Sequence, residues 1–304
     1  TADSNTGIGY FSLAANTTGA SNTGLGKGTV RSNTTGSNNT GVGLDCMNGN
    51  TTGSNNTGLG SNALAANSTA SNNTACGKDA LATNTTGSEN TAIGTFAMDA
   101  HTTGDSNTAL GVNALGSNTT ASNNTALGRN AMVNNTEGFQ NVAVGAYCLD
   151  ANTTGDYNVA VGLNALGGNN ADANTAVGNQ AMLSNTEGTK NVALGAYALD
   201  ANTTASNNVA TGWNALSSNT TGAANTAVGQ SALEDNTTAN YNVAIGSEAL
   251  KDNTTGAENT AVGIDALEAI LNQIIALFSS YFESLNLPEL QDTTTGDQET
   301  NTPL

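Results

Sequence analysis

The chain has 304 residues, but only 4% of them are aromatic, and Asn, Thr, Gly and Ala dominate the composition. Such small and turn-forming residues cannot fill a wide globular interior, so a thin core is expected. Six Lys and Arg residues against 24 Asp and Glu residues leave a net charge of −18, which excludes duplex nucleic acid as a partner. The longest apolar runs are too short for a transmembrane helix.

One short repeat accounts for most of the chain. An Asn followed by Thr or Val, a small residue, usually an aliphatic residue, and then Gly recurs every seventeen residues, with a single sixteen-residue step from Asn158 to Asn174. The sixteen repeats begin at Asn5, Asn22, Asn39, Asn56, Asn73, Asn90, Asn107, Asn124, Asn141, Asn158, Asn174, Asn191, Asn208, Asn225, Asn242 and Asn259. We number the positions of the repeat from 1, the Asn, to 17.

Each position of the repeat predicts a local structure. Positions 1 to 4 favour a short strand, and Gly at position 5 is typical of a bend or of a close approach between backbones. Ala at position 8 and Leu or Met at position 9 predict a second extended piece, whereas Asn-Thr-Thr-Gly at positions 12 to 15 is typical of a turn. The aliphatic residue at position 4, such as Val42, and the residue at position 9, such as Leu64, are expected to form the core.

This pattern predicts an all-β fold, a parallel β-solenoid of sixteen coils over residues 1–263. Coils stacked about 4.7–4.9 Å apart would give a rod roughly 75 Å long. The Asn residues at position 1 would then form a structural ladder, bonded through their amides from coil to coil. Gly or Ala at position 3 predicts a smooth stripe against which another chain could pack, and so few bulky residues per coil favour an oligomer.

The repeat N-T-A-[VLI]-G-x-x-A-L resembles the N-[SA]-[VT]-A-[IL]-G-x-x-A repeats in the heads of trimeric autotransporter adhesins, and it is similar to repeats of bacteriophage tail-fibre proteins. The resemblance covers residues 5–267. It implies a left-handed parallel β-roll, three chains around a common axis, and a role in surface attachment. The adhesin repeat is typically shorter than seventeen residues, and the additional Asn-Thr-Thr-Gly corner is closer to the fibre repeats, which favours a tail fibre.

The seventeen-residue repeat ends after Gly263, and residues 264–290 are predicted to contain a helix that ends before Pro288. Six apolar residues follow a heptad spacing and form the predicted oligomerisation helix: Leu267, Leu271, Ile274, Phe278, Tyr281 and Leu285. Trimerisation, capping of the open end of the solenoid and binding of another partner are the three roles considered for it. Residues 291–304 are expected to be a flexible acidic tail.

Reactive residues are few. The only histidine, His101, stands at position 12 in place of Asn and is interpreted as a turn variant. Cys46 and Cys148 replace Ala at position 8 and Cys76 replaces the aliphatic residue at position 4, so all three are predicted to be buried small hydrophobic residues. Acidic residues do not recur at fixed repeat positions as calcium-binding rolls require. We therefore predict no catalytic, cofactor-binding or metal-binding residues and a protein that is not an enzyme.

Two features of the surface leave alternatives open. Asn-x-Thr sequons are either corner chemistry or glycan sites, and they begin at Asn16, Asn33, Asn50, Asn67, Asn84, Asn118, Asn152, Asn202, Asn219, Asn236 and Asn253. Aromatic residues expected at the surface could stack on a sugar or a protein, or pack between chains: Tyr10, Phe11, Phe139, Tyr147, Tyr157, Tyr197, Trp213 and Tyr241.

The expected function is that of a homotrimeric fibre segment, located in a virion tail or on the cell surface, which attaches to a glycan or protein receptor. The alternative is the subunit of an extracellular filament, N-glycosylated at its corners.

Overall fold

The computed structural model describes residues 2–268, which form one unit of the chain. Sixteen strands of three residues each pair in parallel in their sequence order, as one sheet. The strands are β1 (Thr6–Ile8), β2 (Thr23–Leu25), β3 (Thr40–Val42), β4 (Thr57–Leu59), β5 (Thr74–Cys76), β6 (Thr91–Ile93), β7 (Thr108–Leu110), β8 (Thr125–Leu127), β9 (Val142–Val144), β10 (Val159–Val161), β11 (Thr175–Val177), β12 (Val192–Leu194), β13 (Val209–Thr211), β14 (Thr226–Val228), β15 (Val243–Ile245) and β16 (Thr260–Val262).

The predicted β-solenoid is confirmed. Thr6 pairs with Thr23 and Gly7 with Gly24, so equivalent repeat positions lie side by side in neighbouring coils. The sixteen-residue step keeps this register, because Val159 pairs with Thr175 and Ala160 with Ala176. The backbone between the strands is bonded in the same way, as in the 2.9 Å bond from the Val30 N–H to the Cys46 carbonyl.

Each coil contains one strand, and the second extended piece predicted around positions 8 and 9 is wrong. Positions 6 to 11 form consecutive turns, with left-handed backbone at positions 7 and 9. Met47 and Leu64, both at position 9, have φ values of 50° and 53°. That conformation costs a residue with a Cβ roughly 1–2 kcal/mol, whereas burying a Leu or Met side chain contributes roughly 1.5–3 kcal/mol. Burial therefore outweighs the strain.

The core is built from positions 3, 8 and 9, so the prediction for position 9 is right and that for position 4 is wrong. Side chains at position 9 from Val30 to Leu250 are fully buried. The aliphatic residues at position 4 point outward instead, because alternate residues of a strand face opposite sides and position 3 faces inward. In β2, for example, Gly24 is buried while Leu25 is 45% exposed.

The small residue at position 3 is required by this thin interior. A Cβ added to Gly41 would lie 2.8 Å from Cγ2 of Val30 and 3.3 Å from Cε of Met47. Position 3 therefore faces the large residues at position 9 across the interior, and only Gly or Ala fits. The predicted packing of another chain against a stripe at position 3 is wrong, since this stripe is buried.

Residues 264–268 continue the solenoid, contrary to the helix predicted to begin there. Asp265 and Leu267 have the left-handed φ values of positions 7 and 9, at 54° and 55°, and the Ala266 carbonyl accepts from the Leu250 N–H at 3.0 Å. Leu267 therefore belongs to the last coil and not to the predicted helix. The rest of the predicted helix and the acidic tail 291–304 lie outside the described residues.

Gly at position 5 is required by its conformation and by its neighbour. Its φ lies between 130° and 142° in all sixteen coils, a region that side chains with a Cβ rarely adopt. A Cβ on Gly145 would also lie 2.6 Å from the Gly162 carbonyl oxygen of the next coil. Consecutive coils therefore approach each other closely along the column of glycines.

Replacing Gly145 by Ala is expected to lower the free energy of unfolding by roughly 3–5 kcal/mol, through backbone strain and overlap with the next coil. Gly138→Ala, at position 15 of a neighbouring coil, is the matched control. Its Cβ would also contact the next coil, yet other coils carry Ala at that position: Ala70, Ala121, Ala171, Ala205 and Ala239. Urea denaturation followed by circular dichroism measures both variants, and equal losses would contradict this explanation.

Candidate functional site

Two columns of asparagine run through the interior and meet at one backbone carbonyl in most coils. In the second coil, Nδ2 of Asn22 at position 1 and Nδ2 of Asn33 at position 12 both donate to the carbonyl of Gly36, at 2.8 and 2.9 Å. These asparagines are fully buried. One acceptor at position 15 thus holds both sides of the coil together.

The same side chains also connect neighbouring coils. Oδ1 of Asn22 accepts from the backbone N–H of Asn39 at 2.9 Å, and Nδ2 of Asn33 donates to Oδ1 of Asn16 at 2.7 Å. Asn supplies two N–H donors and an acceptor on separate atoms of one short side chain, whereas an ionised Asp has no donor and Ser or Thr has only one. Most of the buried amides are therefore paired both within their coil and between coils.

The burial of the asparagines at position 12 determines whether the Asn-x-Thr sequons that begin there can carry glycans. Asn50 and Asn118, for example, are fully buried, and their Nδ2 atoms donate to backbone carbonyls within their own coils. A glycan would be attached to that nitrogen, so it would remove these bonds and would have to occupy the interior. The asparagines of these sequons stabilise the turn at positions 12 to 15, and the folded solenoid is incompatible with glycans at its buried asparagines.

The sixteen-residue coil replaces its missing backbone carbonyl with a side chain. In a regular pair of coils, the Thr34 carbonyl accepts from Thr17 N, Thr18 N and Thr17 Oγ1. In the shortened coil, Oδ1 of Asn170 accepts the three equivalent bonds, from Thr153 N at 2.8 Å, Thr153 Oγ1 at 2.9 Å and Thr154 N at 3.0 Å. The deletion is therefore accommodated without a break in the stack.

Asn170→Ala is expected to lower the free energy of unfolding by about 1–2 kcal/mol, because three donors lose their acceptor at a site where water replaces it in part. Asn170→Asp keeps two acceptor oxygens on the same stem and should stay near wild type. Urea midpoints and the hydrogen-exchange rates of the Thr153 and Thr154 amides measure the effect. An equal loss in both variants would contradict this role.

His101 takes the place of an interior asparagine at position 12, so this turn variant is buried. It is fully buried, with Nε2 2.7 Å from the Gly104 carbonyl oxygen and Nδ1 3.2 Å from Nδ2 of Asn118. Because the Asn118 amide nitrogen can only donate, Nδ1 must accept, and the neutral ring carries its proton on Nε2. Burial lowers the pKa of His101, against smaller opposing effects of the bonds to Gly104 and Asn118 and of the charge on Asp105.

The histidine also interrupts the column. Since its Nε2–H donates to Gly104, it offers no donor to the preceding coil, and Oδ1 of Asn84 is left without a partner. His101→Asn should therefore stabilise the protein by about 1–3 kcal/mol at neutral pH.

The stability difference between His101→Asn and wild type should grow as the pH falls from 7.5 to 5. A folded pKa below the unfolded value of about 6.5 means that the unfolded chain binds the proton more tightly, so wild type loses stability below that pH. The variant has no such group, and every other acid is common to both chains. Urea denaturation at both pH values gives the comparison, and a difference that stays constant or shrinks would contradict it.

The three cysteines differ in burial, because position 8 faces the interior of the coil and position 4 faces outward. Cys46 and Cys148, at position 8, are fully buried, and burial raises the pKa of their thiols to about 12 and about 11. These two are unreactive at neutral pH. Cys76 is half-buried, because position 4 faces outward, so its predicted burial is wrong.

Sites for bound ions are not found within residues 2–268. In this range no group of three or more His, Cys, Asp or Glu side chains is placed to hold a metal ion. Over the same residues, no helix has the length and apolar character of a membrane span.

The outer face of the sheet is an uncharged, largely apolar surface, which we call the sheet face and define as positions 2 and 4 of all coils. Position 2 is always Thr or Val, and position 4 is aliphatic in every coil except at Cys76 and Thr211. In the inner coils the most exposed of the position 4 residues, from Leu25 to Ile245, are 36–45% exposed. A contiguous apolar surface that stays exposed along a whole sheet indicates an interaction site. The sequence did not predict this face, because the aliphatic residues at position 4 were expected in the core.

The candidate aromatic residues lie on the other sides of the coil. Tyr10, Phe11, Phe139, Tyr157, Tyr197, Trp213 and Tyr241 are exposed, whereas Tyr147 is half-buried. The rings of Phe139 and Tyr157 contact each other edge to face, with 5.2 Å between their centroids. None of these residues lies at position 2 or 4, so contact with other molecules there would leave the sheet face free.

No protein-family model matches the chain, and no curated protein matches it at a significant level.

Proposed function

We propose that the protein is a structural fibre segment whose chains associate through the sheet face into a homotrimer and which attaches to a surface, as part of a phage tail fibre or a bacterial surface adhesin. Its location is then the virion tail or the exterior of the cell. The observation that supports this most is the sheet face, which runs along all sixteen coils without one charged residue, on a chain of net charge −18.

The size of the sheet face supports association between copies. Sixteen coils about 4.8 Å apart and strands roughly 10 Å long give an area of about 750 Å². Stable protein interfaces bury about 800 Å² per partner. A second copy of the chain presents the same apolar columns at the same spacing, so it fits along the whole length. The number of three copies follows from the resemblance to trimeric repeats.

A charge on the sheet face should separate the copies. Leu110→Glu combined with Leu127→Glu places two carboxylates in the middle of that face. Thr103→Glu combined with Thr120→Glu, at position 14, adds the same charge on another side, where Glu137 and Glu187 occur naturally.

Light scattering coupled to size exclusion is expected to give three times the chain mass of 30.1 kDa for wild type and for the control, and one chain mass for the sheet-face variant. Circular dichroism checks that each variant is folded. A monomeric wild type, or a control that dissociates as completely as the sheet-face variant, would refute self-association through this face.

A further inference from the structure

A longer period, of three coils, is superimposed on the seventeen-residue repeat at the outward positions 6, 7 and 10. From the sixth to the twelfth coil, position 7 is aromatic at Phe96, Tyr147 and Tyr197, each three coils from the next, whereas Phe11 in the first coil lies outside this period. Position 10 of the same coils is always an aspartate: Asp99, Asp150 and Asp200.

The coil that follows each of these completes a cluster. Its position 6 is a large apolar residue, Val112, Leu163 or Trp213, and its position 7 is an asparagine: Asn113, Asn164 or Asn214. We call these three groups the first, second and third surface clusters. Each contains one ring, one carboxyl group, one further apolar side chain and one amide on two neighbouring coils.

Packing of the core does not account for the apolar members of the clusters. Val112, Leu163 and Trp213 are 45%, 46% and 50% exposed, so most of the free energy available from burying them is not gained in this chain. The position also tolerates polar residues, as Ser61 and Ser247 show. Their recurrence every three coils therefore points to contact with another molecule.

The aspartates at position 10 lie on the same side of the coil as the rings at position 7, because Lys251 and Glu248, at these two positions of one coil, form an ion pair of 3.1 Å. Oδ1 of Asp99 lies 3.6 Å from the Cβ position of Gly116 in the next coil, and Oδ1 of Asp150 lies 3.5 Å from that of Gly167. Burial raises the pKa of Asp99, Asp150 and Asp200 alike. All three carboxyl groups are thus partly desolvated, which strengthens a hydrogen bond to a ligand.

The spacing of the clusters points to a ligand that is itself a repeating chain. Three coils correspond to about 14 Å, so the clusters form a row roughly 29 Å long from first to third. Rings and apolar side chains fit the C–H faces of pyranose sugars, while carboxyl and amide groups bond their hydroxyls. A linear polysaccharide offers both kinds of surface repeatedly along one direction.

We propose that the three surface clusters form one multivalent binding surface for a linear polysaccharide. This inference rests on the proposed attachment function and identifies the class of molecule to which the fibre attaches. Binding by several weak clusters at once gives an affinity far above that of each cluster alone.

The third cluster should contribute most. Lys78 Nζ lies 5.1 Å from the ring centroid of Phe96, and Arg129 Cζ lies 5.7 Å from that of Tyr147, so cations contact the rings of the first two clusters. Asn179 stands at the equivalent position before Tyr197.

Affinity electrophoresis in gels containing hydroxyethyl cellulose, dextran or alginate tests the proposal with the full-length chain. The variant Tyr197→Asn/Trp213→Ser removes both aromatic groups of the third cluster using residues found at these positions in other coils, such as Asn62 and Ser61. Tyr241→Asn is the matched control, since it removes an exposed ring at position 17, outside the clusters, where Asn207 occurs naturally.

At least one polymer should retard wild type. The double variant should bind that polymer roughly tenfold more weakly, because multivalent affinity falls steeply when one contact is lost, while Tyr241→Asn should be unchanged. Failure of all three polymers to retard wild type, or an equal loss in Tyr241→Asn, would overturn the proposal, and the three-coil period would then record only the duplication of a longer unit.

Light scattering on the same proteins separates this result from the test of self-association. A monomeric wild type that is still retarded through the third cluster refutes the trimer and supports the polysaccharide surface. A trimeric wild type that none of the polymers retards refutes the polysaccharide surface alone.

Discussion

The carbonyl at position 15, held by two asparagine amides, is the interaction on which the solenoid depends. A coil of seventeen residues with one large side chain in its interior cannot be stabilised by apolar burial alone. Its interior therefore also contains polar side chains beside the apolar residues at positions 3, 8 and 9, and these are tolerated where their donors and acceptors are paired. Asn22 and Asn33 meet this requirement within their coil and, through Asn39 and Asn16, between coils. The identity of two positions in every repeat follows from this one geometry.

The departures from the repeat show how strictly the pairing is maintained. Asn170 supplies a side-chain oxygen where a backbone carbonyl is missing, and His101 reproduces the donor and acceptor pattern of an asparagine. Neither Asn170 nor His101 restores every hydrogen bond of a regular coil. Among residues 2–268, four buried amide atoms lack partners: Oδ1 of Asn84 and of Asn152, each one coil before a departure, and Nδ2 of Asn158 and of Asn242. Unpaired atoms of this kind mark the weakest steps of the stack.

The outside of the coil is free of these constraints and carries the functional proposals. The sheet face is uncharged along the whole solenoid, which suits contact with identical copies, whereas the surface clusters combine rings, carboxyl groups and amides at a three-coil spacing. The clusters lie at positions 6, 7 and 10 and the sheet face at positions 2 and 4, so both can be occupied at once. A fibre needs this separation, because the surface that holds its chains together cannot also bind its target.

The sequence by itself determined the period, the number of coils and the β-solenoid class, because residues one repeat apart must take equivalent places in a regular stack. It also identified position 9 as core, since Leu and Met recur there without exception after the first two coils. Only the tertiary structure decided which side of the strand faces inward. A three-residue strand such as Thr40–Val42 is too short for alternation to reveal its buried side, and both Gly41 and Val42 are compatible with a core.

The choice depends on the distance across the interior, where Val30 and Met47 leave no room opposite Gly41 for even a Cβ atom, and the later coils have nothing larger than Ala at this position. The same holds for position 12. Asparagine next to threonine is typical of an exposed turn, and its burial follows from the carbonyl at position 15, which only the closed coil brings within reach.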